Sequence, residues 1–409
     1  MRNDFVPLLF AGDINVYSVA RAFHEEYGVR PAAYGKYMSW PCAGSRIIDY
    51  TANPKADVQD VFMSIVHDFA GIHREKKVIL LGCGDSYVRL ISQNLPNMPE
   101  NVIAPYVAIA LMDRLIHKEK FYELCEAAGI GYPDTFVYRE GMAGSFALPF
   151  EGPFIVKPSN GIKYWEHPFP KQKKVFKADS REELSGIIRD IYDAGYDDSL
   201  IIQNFIPGDD SYMRVLTNYS DKDGNVRMMC LGHVLLEEHT PHGIGNHAAI
   251  ITESHRPLED KIKAFLESMK FTGYSNFDIK YDRRDGQYKV FELNPRQGRS
   301  NYYVTNAGEN IARHIVDDYI DNKYSDGGAE CRNVTKESLW LVIPKKVAFD
   351  YIPHEEIKGQ MKKLISEGRY VNPIEYAHDG GFVRRLRFLK SQAGHFFKYR
   401  KYLGKQTGE

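Results

Sequence analysis

FELNPRQGRS, residues 291–300, decides how the chain is read. It follows DGQYKV, so a turn at Asp285-Gly286 leads into a short apolar strand through Tyr288, Val290 and Phe291. Strand side chains alternate faces, so Glu292 and Asn294 point the same way. An isolated E-L-N reads as a solvated edge. A carboxylate and an amide oxygen aimed at one spot also suit a hard cation such as Mg²⁺, which takes oxygen ligands completed by substrate phosphates. The choice depends on a second carboxylate, and the preceding strand supplies it. In YSNFDIKYD-RRDG-QYKVFELN the two strands form a hairpin, with Asp278 and Glu292 each about six or seven residues from the turn. The two can be cross-strand neighbours, and Asp278, Glu292 and Asn294 together make a cage for one or two Mg²⁺ ions.

The rest of the chain bounds the reading. At 409 residues it is too long for one ordinary core. With 43% hydrophobic residues, 26% charged and a formal net charge of −1, its balance points to no nucleic-acid partner. The five cysteines are scattered without a C-x-x-C pair, which argues against structural zinc and a disulfide framework and fits a reducing cytoplasm. The apolar run FVPLLFAG is short, contains Pro7 and is flanked by Asp4 and Asp13, so it does not read as a signal peptide. No stretch approaches the roughly 18–20 apolar residues of a membrane helix.

Two strand–loop–helix units open the chain: FVPLLFA into GDIN and VYSVARAFHEEYG, then KKVILLGCGD into YVRLISQNL. This is an α/β pattern with a parallel sheet, whose ligand loops lie at the strands' carboxyl ends. Gly82-Cys83-Gly84 lacks the third glycine of a dinucleotide fingerprint. From about residue 113 the texture changes to α+β. DRLIHKEKFYELCEAAGI reads as one amphipathic helix, and KKVFKADS as a strand. Ser180 and Glu183 form a capping box. SLIIQNFIPGDD reads as a buried strand running into a polar hinge. Strands SYMRVLTNY and VRMMCLGHVLLEE come next, then a Gly/His-rich loop at 239–247. Domains are expected at 1–112, 113–206 and 207–330, with a basic extension over 331–409.

Lys157 ends an apolar strand and precedes Pro158-Ser159-Asn160-Gly161, whose amides could cradle a phosphate. A lysine there needs an anion unless it snorkels to water. Lys118, in a mixed-charge helix, looks by itself like surface.

The order helix-lysine, I-V-K-P, Q-N-F-I-P-G-D-D and D…E-x-N-P-R resembles the ATP-grasp superfamily, specifically its carboxylate–amine ligases. GDINVYSVARAF, FIPGDDSYMRVL, RMMCLGH and FELNPRQGRS make the chain similar to the D-aspartate ligases of peptidoglycan synthesis. The resemblance implies an ATP-grasp fold behind an N-terminal parallel-sheet domain. It assigns Lys118, which stands eleven residues before Gly129, and Lys157 to the nucleotide phosphates, with Ser159 in the phosphate loop. It gives Gln203, Asn204, Phe205 and Ile206 to the adenine and Asp210 to the ribose. Asp278, Glu292 and Asn294 become the Mg²⁺ ligands, and Arg214, Arg296 and Arg299 face the γ-phosphate or an acyl phosphate. Some relatives carry arginine where Asn276 stands, which leaves oxyanion binding to Arg296 or Arg299.

The implied reaction is a cytoplasmic, ATP-dependent joining of the β-carboxylate of D-aspartate to the lysine side chain of a UDP-MurNAc-pentapeptide. Another amino acid, or a nucleotide-binding relative without catalysis, are the alternatives. Glu237, Glu238 or a histidine of the 239–247 loop could take the amine's proton. The last thirty residues carry Arg384, Arg385, Arg387, Lys390, Lys398, Arg400, Lys401 and Lys405 against only Glu409. That tail reads as a solvated face, or as a contact to the acceptor's diphosphate or to an anionic membrane surface.

Overall fold

The computed structural model describes residues 2–142, 146–241, 243–325 and 330–404. Thus His242, Lys405 and Glu409 lie outside the described residues. Three sheets organise the described residues. The first is all parallel, in the order β3-β2-β1-β4-β5: β1 (Phe5–Phe10), β2 (Ala32–Gly35), β3 (Asp49–Ala52), β4 (Lys77–Gly82) and β5 (Val102–Ile103). The central strands β1 and β4 are near-continuous apolar runs because helices cover both faces. After β1 the chain turns into the helix Ile14–Tyr27. Asp13 caps it by accepting from the Asn15 N–H, and Gly28 ends it in the left-handed conformation.

The second sheet is antiparallel in the order β6-β9-β7-β8: β6 (Thr135–Tyr138), β7 (Phe154–Pro158), β8 (Phe176–Ala178) and β9 (Leu200–Asn204). Its core, around Phe154, Tyr164, Leu184 and Ile202, is a separate small cluster. The helix Arg181–Asp193 covers it. The Ser180 hydroxyl accepts from the Glu183 N–H, while the Glu183 carboxylate bonds back to the Asp179 N–H instead of to Ser180.

The third sheet runs β14-β13-β10-β11-β12-β16-β17, with β15 paired to β11. Its strands are β10 (Met213–Ser220), β11 (Val226–Glu237), β12 (His247–Glu253), β13 (Gly273–Asp282), β14 (Gln287–Asn294), β15 (Arg332–Asn333), β16 (Leu339–Leu341) and β17 (Tyr370–Val371). This sheet crosses the boundary drawn at residue 330. Composition shifts there, but Leu339, Trp340 and Leu341 are fully buried and pair with Ala249–Ile251 of β12. A single apolar core joins the first and third sheets.

The helix expected from residue 113 onward is two helices, Ile109–Ile116 and Lys118–Ala127. The break is His117, whose backbone is extended (φ −80°, ψ 111°) and whose ring lies 3.6 Å from Asp198. Lys118 therefore opens a second helix on a new axis. The C-terminal basic segment is a helix of 21 residues, Phe382–Tyr402.

Candidate active site

Register decides the centre of the site. In the β13–β14 hairpin Asp278 lies directly opposite Glu292, and Asn276 opposite Asn294. A bulge follows Asp278, with Phe291 as the additional residue on β14. The Asn294 and Asn276 amides each approach the Asp278 carboxylate, at 3.5 Å. Asn276, where some relatives carry arginine, also accepts from the Thr217 hydroxyl at 2.9 Å. Its Oδ1 would lie 2.5 Å from a Cβ at Gly298, so only glycine lets the loop pass this close.

The two carboxylates share one field. Burial and the Glu292 charge push Asp278 well above the ordinary carboxylate range. Burial would push Glu292 up as well, but Lys118, Lys174 and Lys157 outweigh it and hold Glu292 below that range. Two facing acids of this kind, one destabilised in its charged form, fit a cation between them. Among the described residues no cluster of three or more His, Cys, Asp or Glu could hold a metal. A donor set of two carboxylates and an amide suits Mg²⁺, which keeps waters and phosphate oxygens in its remaining positions.

These residues open into a cavity of about 1020 Å³ between the three sheets. Lys118, which locally looks like surface, is swung inward by the break at His117. Its ammonium is 3.2 Å from Glu292. Lys157 enters from β7 and sits 4.5 Å over the Phe291 ring. Burial and the nearby Lys118 charge lower it to about 8. Sequence reasoning missed Lys174. It lies before β8 starts, in a run read as the beginning of a strand, and it lines the cavity. Its side chain is exposed where it lines the cavity. Glu292 raises its pKa against the opposing effect of burial, helped by Asp278 and Asp85. Three ammonium groups around one acidic pair make a ready seat for a polyphosphate.

The hinge residues Gln203, Asn204, Phe205 and Ile206 all line the cavity. Ile155 pairs directly with Gln203 across the sheet and joins Met213 and Leu293 as apolar lining. The hinge is fixed from behind. The Phe205 N–H donates to Pro153 at 2.9 Å, and Arg284 donates to the Asn204 amide oxygen at 2.7 Å.

Three residues predicted for the site are not brought to the cavity lining. The Ser159 hydroxyl is buried against Ser199 at 2.8 Å, leaving Asn160 and Gly161 to line the space. Asp210 accepts from His239 at 2.8 Å and from the Glu237 N–H at 2.9 Å, behind the wall. The wall itself is Glu237 with Lys280. Burial and then the Asp210 charge push Glu237 up to about 7. Arg214 is ion-paired to Glu253 and donates to the carbonyls of Ser211 and Met213 at 2.9 Å. Its partners come from β12, from the turn before β10 and from the first residue of β10, and spacing along the chain does not reveal the first of these.

Arg296 and Arg299 do line the cavity. Arg296 donates to Asp85 at 2.5 Å and to the Gln297 carbonyl at 3.0 Å. Asp85 sits just past β4, the loop position where a parallel sheet binds ligands. Arg299 reaches Glu238 at 3.2 Å, while its Nη1 is buried without a hydrogen-bond partner. A buried, unsatisfied guanidinium nitrogen is costly, and it marks where an anion would bind. Gln297 and Asn301 tie this loop to the first sheet, through the Gly82 carbonyl at 3.1 Å and Asn15 at 2.7 Å.

No protein-family model matches the chain. It is 40% identical over 413 aligned positions to a D-aspartate ligase of Enterococcus faecium (strain Aus0004), covering 99% of this chain and 98% of that protein. Among solved structures it is similar to an N5-carboxyaminoimidazole ribonucleotide synthetase in its ADP complex, with a TM-score of 0.60 and 11% identity over 89% of this chain and 86% of that one. An L-amino acid ligase from Bacillus licheniformis gives a TM-score of 0.54 and 14% identity over 81% and 78% of the two chains. A phosphoribosylamine–glycine ligase from Thermotoga maritima gives 0.54 and 16% over 82% and 78%. At these identities the likeness is one of fold, and the fold is ATP-grasp.

Proposed function

The chain belongs to the D-aspartate ligase family, and we propose that it joins the β-carboxylate of D-aspartate to the lysine side-chain amine of a UDP-MurNAc-pentapeptide. It is an ATP-dependent carboxylate–amine ligase. A carboxylate resists attack by an amine until it is phosphorylated, so the site must position phosphates and stabilise charge more than supply a nucleophile. The observation that carries the proposal is the in-register Asp278–Glu292 pair facing a lysine-lined cavity, in a chain aligned end to end with a D-aspartate ligase.

Each group then has a task. Gln203 to Ile206, with the apolar Ile155, Met213 and Leu293, take the adenine. Glu237, backed by Asp210, stands on the hinge side to accept ribose hydroxyls. Lys118, Lys157 and Lys174 neutralise the phosphates. Asp278, Glu292 and Asn294 would hold Mg²⁺, which when bound supplies positive charge to the phosphate oxygens. Arg299, with its free buried nitrogen, and Arg296 hold the amino acid's second carboxylate and the acyl phosphate oxygens. Convergence of all these groups on one cavity is the arrangement a working ligase requires, and it disfavours a relative that has lost catalysis. A nucleotide-linked acceptor fits a cytoplasmic site; no described helix is long and apolar enough to cross a membrane.

The test is ADP release with D-Asp, L-Asp, D-Glu, D-Ala and D-Asn, each with UDP-MurNAc-pentapeptide. D-aspartate should dominate, because an analogue lacking either carboxylate leaves a buried cation unpaired. Preference for L-aspartate or D-alanine overturns the substrate assignment while leaving the ATP-dependent ligase intact.

A further inference from the structure

The helix Phe382–Tyr402 packs one face on the molecule and leaves the opposite face bare. On the inner face Arg384 pairs with Asp379 at 2.9 Å, donates to the Pro41 carbonyl and lies over the Tyr17 ring. The Tyr399 hydroxyl donates to the carbonyl of Glu237, in the cavity wall, at 2.7 Å. His395 is buried between them in sequence. The basic tail is therefore no loose appendage, and Arg384 is not part of its exposed charge.

The outer face runs against the usual pattern. A surface helix turns polar residues to water. Here Phe382, Leu386, Leu389, Ala393, Phe396 and Phe397 recur at spacings of three and four residues, all exposed, with Phe382 at 79% and Phe397 at 78%. These positions form one stripe opposite the buried face. Arg385, Arg387, Lys390, Lys398, Arg400 and Lys401 surround it, all exposed, and the helix contains no acidic residue. Tyr37 and Met38, in the loop segment leading to Pro41 and Ala43 that the helix contacts, are also exposed, at 72% and 70%.

We propose that this face lies on an anionic membrane surface, apolar stripe inserted at the headgroup boundary and cations at the phosphates. An exposed aromatic–aliphatic stripe bordered only by Lys and Arg is the chemistry of an interfacial helix. The charge selects the occupant. Two-fold pairing of this face with a second copy would set six cations against six, whereas an anionic bilayer neutralises them and buries the rings. Because Tyr399 joins the same helix to the cavity wall, the bound molecule would hold its active site close to the membrane plane.

The experiment is co-sedimentation of the full chain with vesicles of phosphatidylcholine alone and of equimolar phosphatidylcholine and phosphatidylglycerol, at low and high salt. Binding is expected only to the anionic vesicles and is expected to weaken with salt. Lys390→Gln/Lys398→Gln/Lys401→Gln should lower the partition coefficient by about fivefold per cation, about a hundredfold together. Phe382→Ser/Leu386→Ser/Phe397→Ser should abolish binding. Both variants alter only exposed side chains, so thermal melting and ADP release with free substrates should match the parent. No binding to anionic vesicles at low salt overturns the proposal, as does binding that neither variant reduces. Self-association lost in the serine variant without any vesicle binding assigns the face to a second copy instead. The outcome is independent of which amino acid the site accepts.

Discussion

Glu292→Gln separates charge from shape at the centre of the site. Glu292 faces Lys118 at 3.2 Å, with both side chains largely buried. At an effective dielectric of about 20, that pair interacts by roughly 5 kcal/mol before desolvation is counted. Breaking a buried pair typically destabilises by about 3–5 kcal/mol. Here Asp278 loses its repulsive neighbour at the same time, so its carboxylate becomes easier to ionise and can partly replace the lost negative charge. The net effect on folding should be about 1–2 kcal/mol, a fall in Tm of under roughly 8 °C. Catalysis has no such compensation, because the group that neutralises three lysines and would hold the cation is gone. Removing one preorganised charge-stabilising group lowers turnover by about 10²–10³-fold, and the upper end is expected. The assay is coupled ADP release at saturating Mg²⁺, beside a thermal melt and a circular dichroism spectrum. Turnover within about tenfold of the parent, in a folded variant, refutes the assignment of Glu292 to the metal and phosphate site.

Lys174→Ala removes a cavity cation that faces Glu292, Asp278 and Asp85, and kcat/KM for ATP should fall about 10–100-fold with little change in Tm; an unchanged value would return Lys174 to the solvent. The stability contributed by three buried histidines should decline as pH falls from about 6.5 toward 4, against the opposite contribution of Glu237 and Asp278, whose raised carboxyl pKa values let the folded chain take up protons. His233, His247 and His395 are each held down to about 4, chiefly by burial and then by Arg214 for His233, Arg299 for His247 and Lys398 for His395. The unfolded chain therefore takes up protons that the folded one refuses. Each histidine should remove roughly 2 kcal/mol by pH 5 relative to pH 7, so His395→Gln should lose about that much less urea-unfolding free energy between pH 7 and pH 5 than the parent, and an identical pH dependence contradicts a buried, neutral His395. Gly273→Ala should destabilise by about 3 kcal/mol or more, since φ is +83° and the new Cβ would lie 1.9 Å from the Pro105 carbonyl oxygen; a melt within about 2 °C of the parent would show that this turn can move.

Local pattern wrote much of this molecule. The apolar runs of β1 and β4, each followed by a polar loop and a helix, specify a parallel sheet because both faces of such strands are buried. The Asp285-Gly286 turn and the flanking strands place Asp278 and Glu292 close together on one hairpin, but regular pairing from the turn would set Asp278 against Phe291, and only the bulge at Phe291 brings Glu292 opposite it. Chain order also carried Lys118, Lys157 and the hinge, although only the family likeness distinguished Lys118 from an ordinary surface lysine. Packing decided the rest. A long charged side chain costs little to expose, so nothing local separates Lys174 or Asp85 in a cleft from the same residues in water. Arg214 and Asp210 carry the right chemistry at the expected positions, yet Glu253 and His239, brought in by β12 and the loop after β11, engage them outside the cavity lining. The extended backbone at His117 turns Lys118 inward, and the seat at Asp379 and Tyr17 buries Arg384 while leaving the phenylalanines of its helix in water. Those outcomes depend on contacts between residues from about thirty to more than three hundred positions apart, and only the folded chain brings such residues within reach of one another.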